Sequence, residues 1–150
     1  YAHMRGVIHR DIKTANLFLT TDRRTKIMDF GLARVTEEVR RSTSLLGGTP
    51  NYMAPEQAKG SGGDHRSDLY ALGATLFELV TGVVPFADRA ETESPRSLTP
   101  PDPQEKAPDI DPRLAQLIRE LLAAEPSERP PSASAVGLRL TELSASAPPS

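Results

Sequence analysis

His9-Arg10-Asp11-Ile12-Lys13-Thr14-Ala15-Asn16 gathers an imidazole, two cations, a carboxylate and an amide into eight residues. Val7-Ile8 leads into it, and Leu17-Phe18-Leu19 leads out as a short apolar strand. Lys26-Ile27-Met28 reads as a second strand, with Asp29-Phe30-Gly31 directly after it. Thr20 to Thr25 is polar enough to turn, so the two strands are expected to pair as an antiparallel hairpin. A hairpin returns the residue after its second strand to the residue before its first. Asn16 and Asp29 are therefore expected at one open end, beside Asp11 and Lys13.

Such a grouping has a chemical use. Mg²⁺ takes one or two protein oxygen ligands and completes its shell with water and phosphate. A neighbouring lysine holds phosphate as a point charge, and a carboxylate orients a hydroxyl and accepts its proton. Any one of these residues alone reads better as part of a polar loop, with Asp11 a turn former. H-R-D-x-K-x-x-N, a hairpin and D-F-G in succession argue against that reading.

The set resembles the protein-kinase family, whose catalytic loop and metal-binding motif are a worked template for phosphoryl transfer. The resemblance implies that Asp11 is the catalytic carboxylate facing the substrate hydroxyl. It makes Asn16 and Asp29 the Mg²⁺ ligands and has Lys13 steady the γ-phosphoryl of ATP, so ATP and Mg²⁺ are the expected cofactors, with Mn²⁺ a substitute. His9, Phe30 and Gly31 would be structural. Lys13, two places after Asp11, is the serine/threonine form of the loop. Thr14 stands where relatives often carry Pro, and without that ring's fixed φ the loop is expected to be less rigid.

From Asp29 to Glu56 the chain reads as an activation segment. A phosphate on Thr43, or on Ser42, Ser44 or Thr36, would order it by pairing with arginine, and Arg10 is the expected receiver. Gly48-Thr49-Pro50-Asn51-Tyr52-Met53-Ala54-Pro55-Glu56 is the second strong motif. In the family it seats the residue after the phosphoacceptor, and Thr49 would bridge to Asp11 and Lys13. Glu56 is expected to be structural, paired with Arg129.

Ser67-Asp68 reads as the cap of a hub helix from Leu69 to about Val80, stopped at Gly82. Leu69, Leu72, Leu76, Leu79 and Val80 form one face, and Ala71, Ala74 and Phe77 line another. Only Thr75 and Glu78 are polar in its middle, so burial on most sides is expected. By the resemblance, Asp68 hydrogen-bonds the backbone of the catalytic loop. Pro112 opens a further helix with Leu114, Leu117, Ile118, Leu121 and Leu122 as a one-sided stripe. Ser132 starts the last, with Val136, Leu140 and Leu143 inward. Arg89 to Pro108 is too rich in Pro and charge to hold a helix, which puts the family's docking helix in doubt. Gly60-Ser61-Gly62-Gly63 lacks the strand and the G-K-[ST] of a phosphate cradle and reads as a connector.

The expected fold class is thus α+β, mainly α: a kinase-like C-terminal lobe over residues 1–143 with a short β-hairpin beside the catalytic loop. Residues 144–150 read as an Ala/Ser/Pro linker. The sequence shows no G-x-G-x-x-G loop or strand lysine, so the N-terminal lobe is read as absent and as a partner this piece would need for activity. Charge is nearly balanced, 18 basic against 20 acidic residues, which gives no electrostatic case for nucleic acid or a membrane surface. There is no cysteine, which fits a cytoplasmic setting, possible also for the cytoplasmic part of an anchored kinase. Expected partners are proteins bearing Ser or Thr. The style of G-T-P-N-Y-M-A-P-E-Q leans bacterial. The alternative is a non-catalytic kinase-like scaffold or regulatory module, which the intact Asp11, Lys13, Asn16 and Asp29 argue against.

Overall fold

Strands β1 (Leu17–Leu19) and β2 (Thr25–Ile27) pair antiparallel, with Leu17 opposite Ile27, Phe18 opposite Lys26 and Leu19 opposite Thr25. The computed structural model describes residues 1–28, 50–60, 62–87 and 99–146. β2 begins one residue earlier than expected, because β-branched Thr25 pairs with Leu19 and the turn closes over Thr20 to Arg24. Thr20 does most of the closing: its amide and hydroxyl both donate to the Arg24 carbonyl at 2.8 Å. Past β2 the ladder adds one step, since Met28 N donates to Asn16 O at 2.9 Å.

Around this small sheet the described chain is helical. A 3₁₀ turn over His3–Arg5 stops at Gly6, whose φ of +72° is the left-handed stop expected of a glycine there. One helical turn, α1 (Pro55–Ala58), is followed by the long α2 (His65–Thr81). α2 starts four residues before the expected Leu69, and its cap is Asp64, whose Oδ1 accepts from Arg66 N at 2.8 Å. Ser67 and Asp68, read as the cap, instead lie buried in the first turn. There they are free to bond outside the helix, and the Asp68 carboxylate suits the positive end of the dipole. α2 ends as expected at Gly82, φ +76°.

Helix α3 (Pro112–Leu121), capped by Asp111, turns Ala115, Leu117, Ile118 and Leu121 into the core. It packs on α2 at Gly73, where an added Cβ would stand 2.6 Å from Leu121 Cβ, so only glycine lets the helices approach this closely. Ala54, Tyr70, Ala74, Phe77, Ile118 and Leu122 form one buried cluster, and Leu69, Leu117, Leu121 and Val136 form another. α2 is therefore covered on most sides, but Leu79, assigned to its apolar face, is 60% exposed.

The last helix, α4 (Ala133–Ala145), is capped by Ser132 and seals the second cluster with Val136 and Leu140. It runs two residues beyond Leu143, so Ser144 and Ala145 are helical rather than linker. In the Pro-rich stretch, the described residues hold one 3₁₀ turn, Pro103–Glu105, and no longer helix. That stretch is still anchored: Pro103 is buried and Asp102 pairs with Arg119. Among the described residues no helix is long and apolar enough to cross a membrane.

Candidate active site

The hub helix fixes the start of the His9–Asn16 loop through the carboxylate of Asp68. Asp68, 1% exposed, accepts from His9 N and Arg10 N at 2.8 Å on its two oxygens, and His3 Nε2 adds a third contact at 2.8 Å. Arg10 is held at φ +66°, a left-handed conformation that costs a non-glycine residue roughly 1–3 kcal/mol. The paired backbone bonds to Asp68 are what hold it there.

His9 is buried and uses both ring nitrogens. Nε2–H donates to the Met28 carbonyl at 3.0 Å, which leaves Nδ1 to accept the Asp11 amide at 3.3 Å. The imidazole thus ties the loop to Met28, the residue just past β2.

The next residues bring the reactive side chains together. Lys13 Nζ lies 3.0 Å from Asp11 Oδ2 and 3.2 Å from Oδ1. Thr14–Asn16 is a single 3₁₀ turn that carries Asn16 back beneath Asp11. Asn16 Nδ2 donates to the Asp11 carbonyl at 2.7 Å and to Asp11 Oδ2 at 3.0 Å. With the amide nitrogen committed, Asn16 Oδ1 is the atom that would ligate a cation. An amide oxygen beside a carboxylate offers hard oxygens of the kind Mg²⁺ takes, and the neighbouring ammonium suits phosphate.

On the other side of the loop, Thr14 Oγ1 donates to Glu78 Oε2 at 2.8 Å and lies 3.2 Å from Tyr52 Oη, which donates to the same oxygen. Burial pushes the Tyr52 phenol above its usual range and the Glu78 bond adds to this, while the Thr14 bond pulls the other way. Thr14 is therefore tethered, where the sequence suggested a looser loop.

Glu56 and Arg129 pair as a fork, NH1 to Oε1 at 2.7 Å and NH2 to Oε2 at 2.8 Å, with the Arg129 side chain fully buried. Arg129 also donates to the carbonyls of Ala123, Ala124 and Arg66 and lies 5.0 Å over the Tyr70 ring. Ser67 Oγ donates to Glu56 at 2.7 Å. Burial raises the Glu56 carboxyl, but the Arg129 and Ser67 bonds outweigh it and hold the group below the usual carboxylate range.

Asp11, Lys13 and Asn16 are therefore together, with His9, Arg10 and Asp68 behind them and Glu56 with Arg129 in a separate scaffold pair. Asp29, Phe30, Gly31, Thr36, Ser42, Thr43, Ser44 and Thr49 lie outside the described residues. Sequence reasoning missed His3 on Asp68, Ser67 on Glu56, and the Tyr52–Glu78 bond. Glu78 did carry a signal, since a carboxylate midway along a largely buried helix needs a donor. Thr75, the other polar residue there, bonds back to Ala71 O and needs none.

A helical unit built on one hub helix, with an H-R-D-x-K-x-x-N loop clamped to it beside a two-stranded sheet, defines a protein-kinase domain. The family model described as protein kinase domain matches residues 1–139, and the chain belongs to that family. It is similar to bacterial serine/threonine kinases. It shares 43% identity with serine/threonine-protein kinase pkn3 of Myxococcus xanthus, over 89% of this chain and 27% of that protein. Identity is 40% with the DNA damage-responsive serine/threonine-protein kinase RqkA of Deinococcus radiodurans, over 91% of this chain and 21% of that protein. With serine/threonine-protein kinase PknB of Mycolicibacterium smegmatis it is 36%, over 86% and 22%. The chain thus spans about a quarter of the length of the relatives it matches.

Proposed function

We propose that this chain is the C-terminal, substrate-facing lobe of a serine/threonine protein kinase that moves the γ-phosphoryl of ATP to Ser or Thr hydroxyls of proteins. The observation that carries the reading is the convergence of Asp11, Lys13 and Asn16 on a loop fixed from behind by Asp68 and His9. Phosphoryl transfer needs positioning and charge neutralisation more than covalent chemistry by the protein, and this arrangement supplies both.

In this reading Asp11 orients the incoming hydroxyl and accepts its proton as the oxygen bonds to the γ-phosphorus and the bond from that phosphorus to the β,γ-bridging oxygen breaks, releasing ADP. Lys13, already beside Asp11, balances the negative charge on the transferred group. Asn16, with Asp29, would hold Mg²⁺. When bound, the ion neutralises charge on the phosphate oxygens. Thr49 would bridge the acceptor segment to Asp11 and Lys13, and Arg10 would receive a phosphate on Thr43 or a neighbour. An N-terminal lobe supplies the rest of the nucleotide site, and the setting is cytoplasmic.

The test is transfer of γ-labelled phosphate from ATP to a Ser/Thr peptide by the full-length protein. The reading expects Mg²⁺-dependent labelling that is lost in Asp11→Asn. Equal labelling by wild type and Asp11→Asn, or none by wild type with Mg²⁺ and a peptide panel, would overturn it.

A further inference from the structure

Asp68 and Glu78 are ten residues apart on α2, about 15 Å along the axis at 1.5 Å per residue. The two carboxylates grip opposite ends of the same loop. Asp68 holds the backbone at His9 and Arg10, and Glu78 holds the side chain of Thr14. Asp11 and Lys13 lie between the grips, and Asn16 is carried by the turn that Thr14 opens.

At its far end the turn is held by Asn16, which donates to Asp11 and accepts from Met28 N, and at its start the Thr14 hydroxyl is what reaches α2. The turn is three residues long, closed by Asn16 N on Lys13 O at 3.0 Å and by Leu17 N on Thr14 O. A proline at residue 14 would stiffen φ but could donate nothing to Glu78. Threonine supplies the opposite: a free φ and a hydroxyl directed onto a carboxylate on a rigid helix. The same Glu78 oxygen takes the Tyr52 hydroxyl, so the acceptor-side Pro50–Tyr52 turn meets the loop at this point.

We propose that Thr14 is a positioning residue for phosphoryl transfer. Its hydroxyl bond to Glu78 is the second of two grips that hold the Asp11-to-Asn16 loop to α2. The proposal rests on the kinase reading above, and its structural half can be measured without catalysis. Loss of the hydroxyl frees the turn, so Asn16 no longer stays seated against Asp11. Small displacements of this kind reduce turnover more than ground-state binding.

The experiment compares full-length wild type with Thr14→Val, Thr14→Ser and Glu78→Gln. It reads peptide-phosphorylation kinetics and amide hydrogen exchange over Lys13 to Leu17. Thr14→Val keeps shape without the donor, and is expected to lower kcat about tenfold while KM for ATP stays within about twofold. Exchange over the turn should quicken by about tenfold. Thr14→Ser should restore both, and Glu78→Gln, whose oxygen is a weaker acceptor, should fall between. Wild-type kcat and exchange in Thr14→Val would overturn the proposal, as would a Thr14→Ser as slow as Thr14→Val. Should wild type transfer no phosphate, the kinase reading fails and exchange alone decides the grip: equal rates in wild type and Thr14→Val overturn it.

Discussion

Replacing Arg129 with alanine is expected to destabilise the domain far more than an ordinary surface change. The guanidinium is fully buried, and its removal takes the charged partner from the Glu56 carboxylate, which keeps only 16% of its side-chain surface in solvent. It also takes donors from the carbonyls of Ala123, Ala124 and Arg66. Breaking a buried pair from one side costs about 3–5 kcal/mol. Because Glu56 keeps some water contact, the lower end applies, about 3 kcal/mol. For a domain of this size that is a drop in Tm of about 6–12 °C. Arg129→Lys keeps the charge but loses the fork, and should fall between the two.

The Glu56–Arg129 pair also makes stability depend on pH. The Glu56 carboxyl is depressed in the folded protein, so its stabilising contribution is full above the ordinary carboxylate value of 4.5 and is lost as pH falls through the lower folded value. The gap in Tm between wild type and Arg129→Ala should therefore be widest near neutral pH and narrow in acid. Thermal melts of both proteins from pH 7 down to about pH 3 measure it. A variant melting within about 2 °C of wild type at pH 7, or a gap that widens in acid, would mean that the Glu56–Arg129 pair does not hold the domain together.

Other changes have equally definite outcomes. Gly73→Ala forces a methyl against Leu121 and should cost about 1–3 kcal/mol by overpacking, read as a lower denaturant midpoint. Asp68→Asn puts an amide NH₂ against a backbone N–H at His9 or Arg10, and should cut phosphoryl transfer about a hundredfold in steady-state assays while the protein still folds. Thr43→Ala should reduce activity in the full-length protein, and Arg10→Ala should abolish the gain from phosphorylation, as peptide assays before and after phosphatase treatment would show.

Much of the fold could be read from residue pattern because the hairpin and helices each had a local cause. The apolar stripe of α3, the stop of α2 at Gly82 and the Ser132 cap are all short-range effects. The start of α2 was misplaced because Asp64, Ser67 and Asp68 are all good caps. Only the tertiary fold shows that the last two turn away to Glu56 and to the His9–Arg10 backbone. The grouping of Asp11, Lys13 and Asn16 could be inferred because it follows from a short loop entering a hairpin. The Thr14–Tyr52–Glu78 contact could not, since it joins three segments that share no local signal. The exposed Leu79 shows the same limit: periodicity assigns a face, but only the packing of the neighbouring segments decides how wide the buried face is.

In the proposed reaction, Asn16 and Asp29 would hold a divalent cation when nucleotide is bound. Paramagnetic broadening of the Asn16 side-chain amide signal in the full-length protein tests this, with Mn²⁺ standing in for Mg²⁺. The Asn16 signal should broaden when Mn²⁺ and ATP are added together, and Asp29→Ala should remove the effect. An Asn16 signal left sharp while ATP is bound with Mn²⁺ would contradict that placement of the cation.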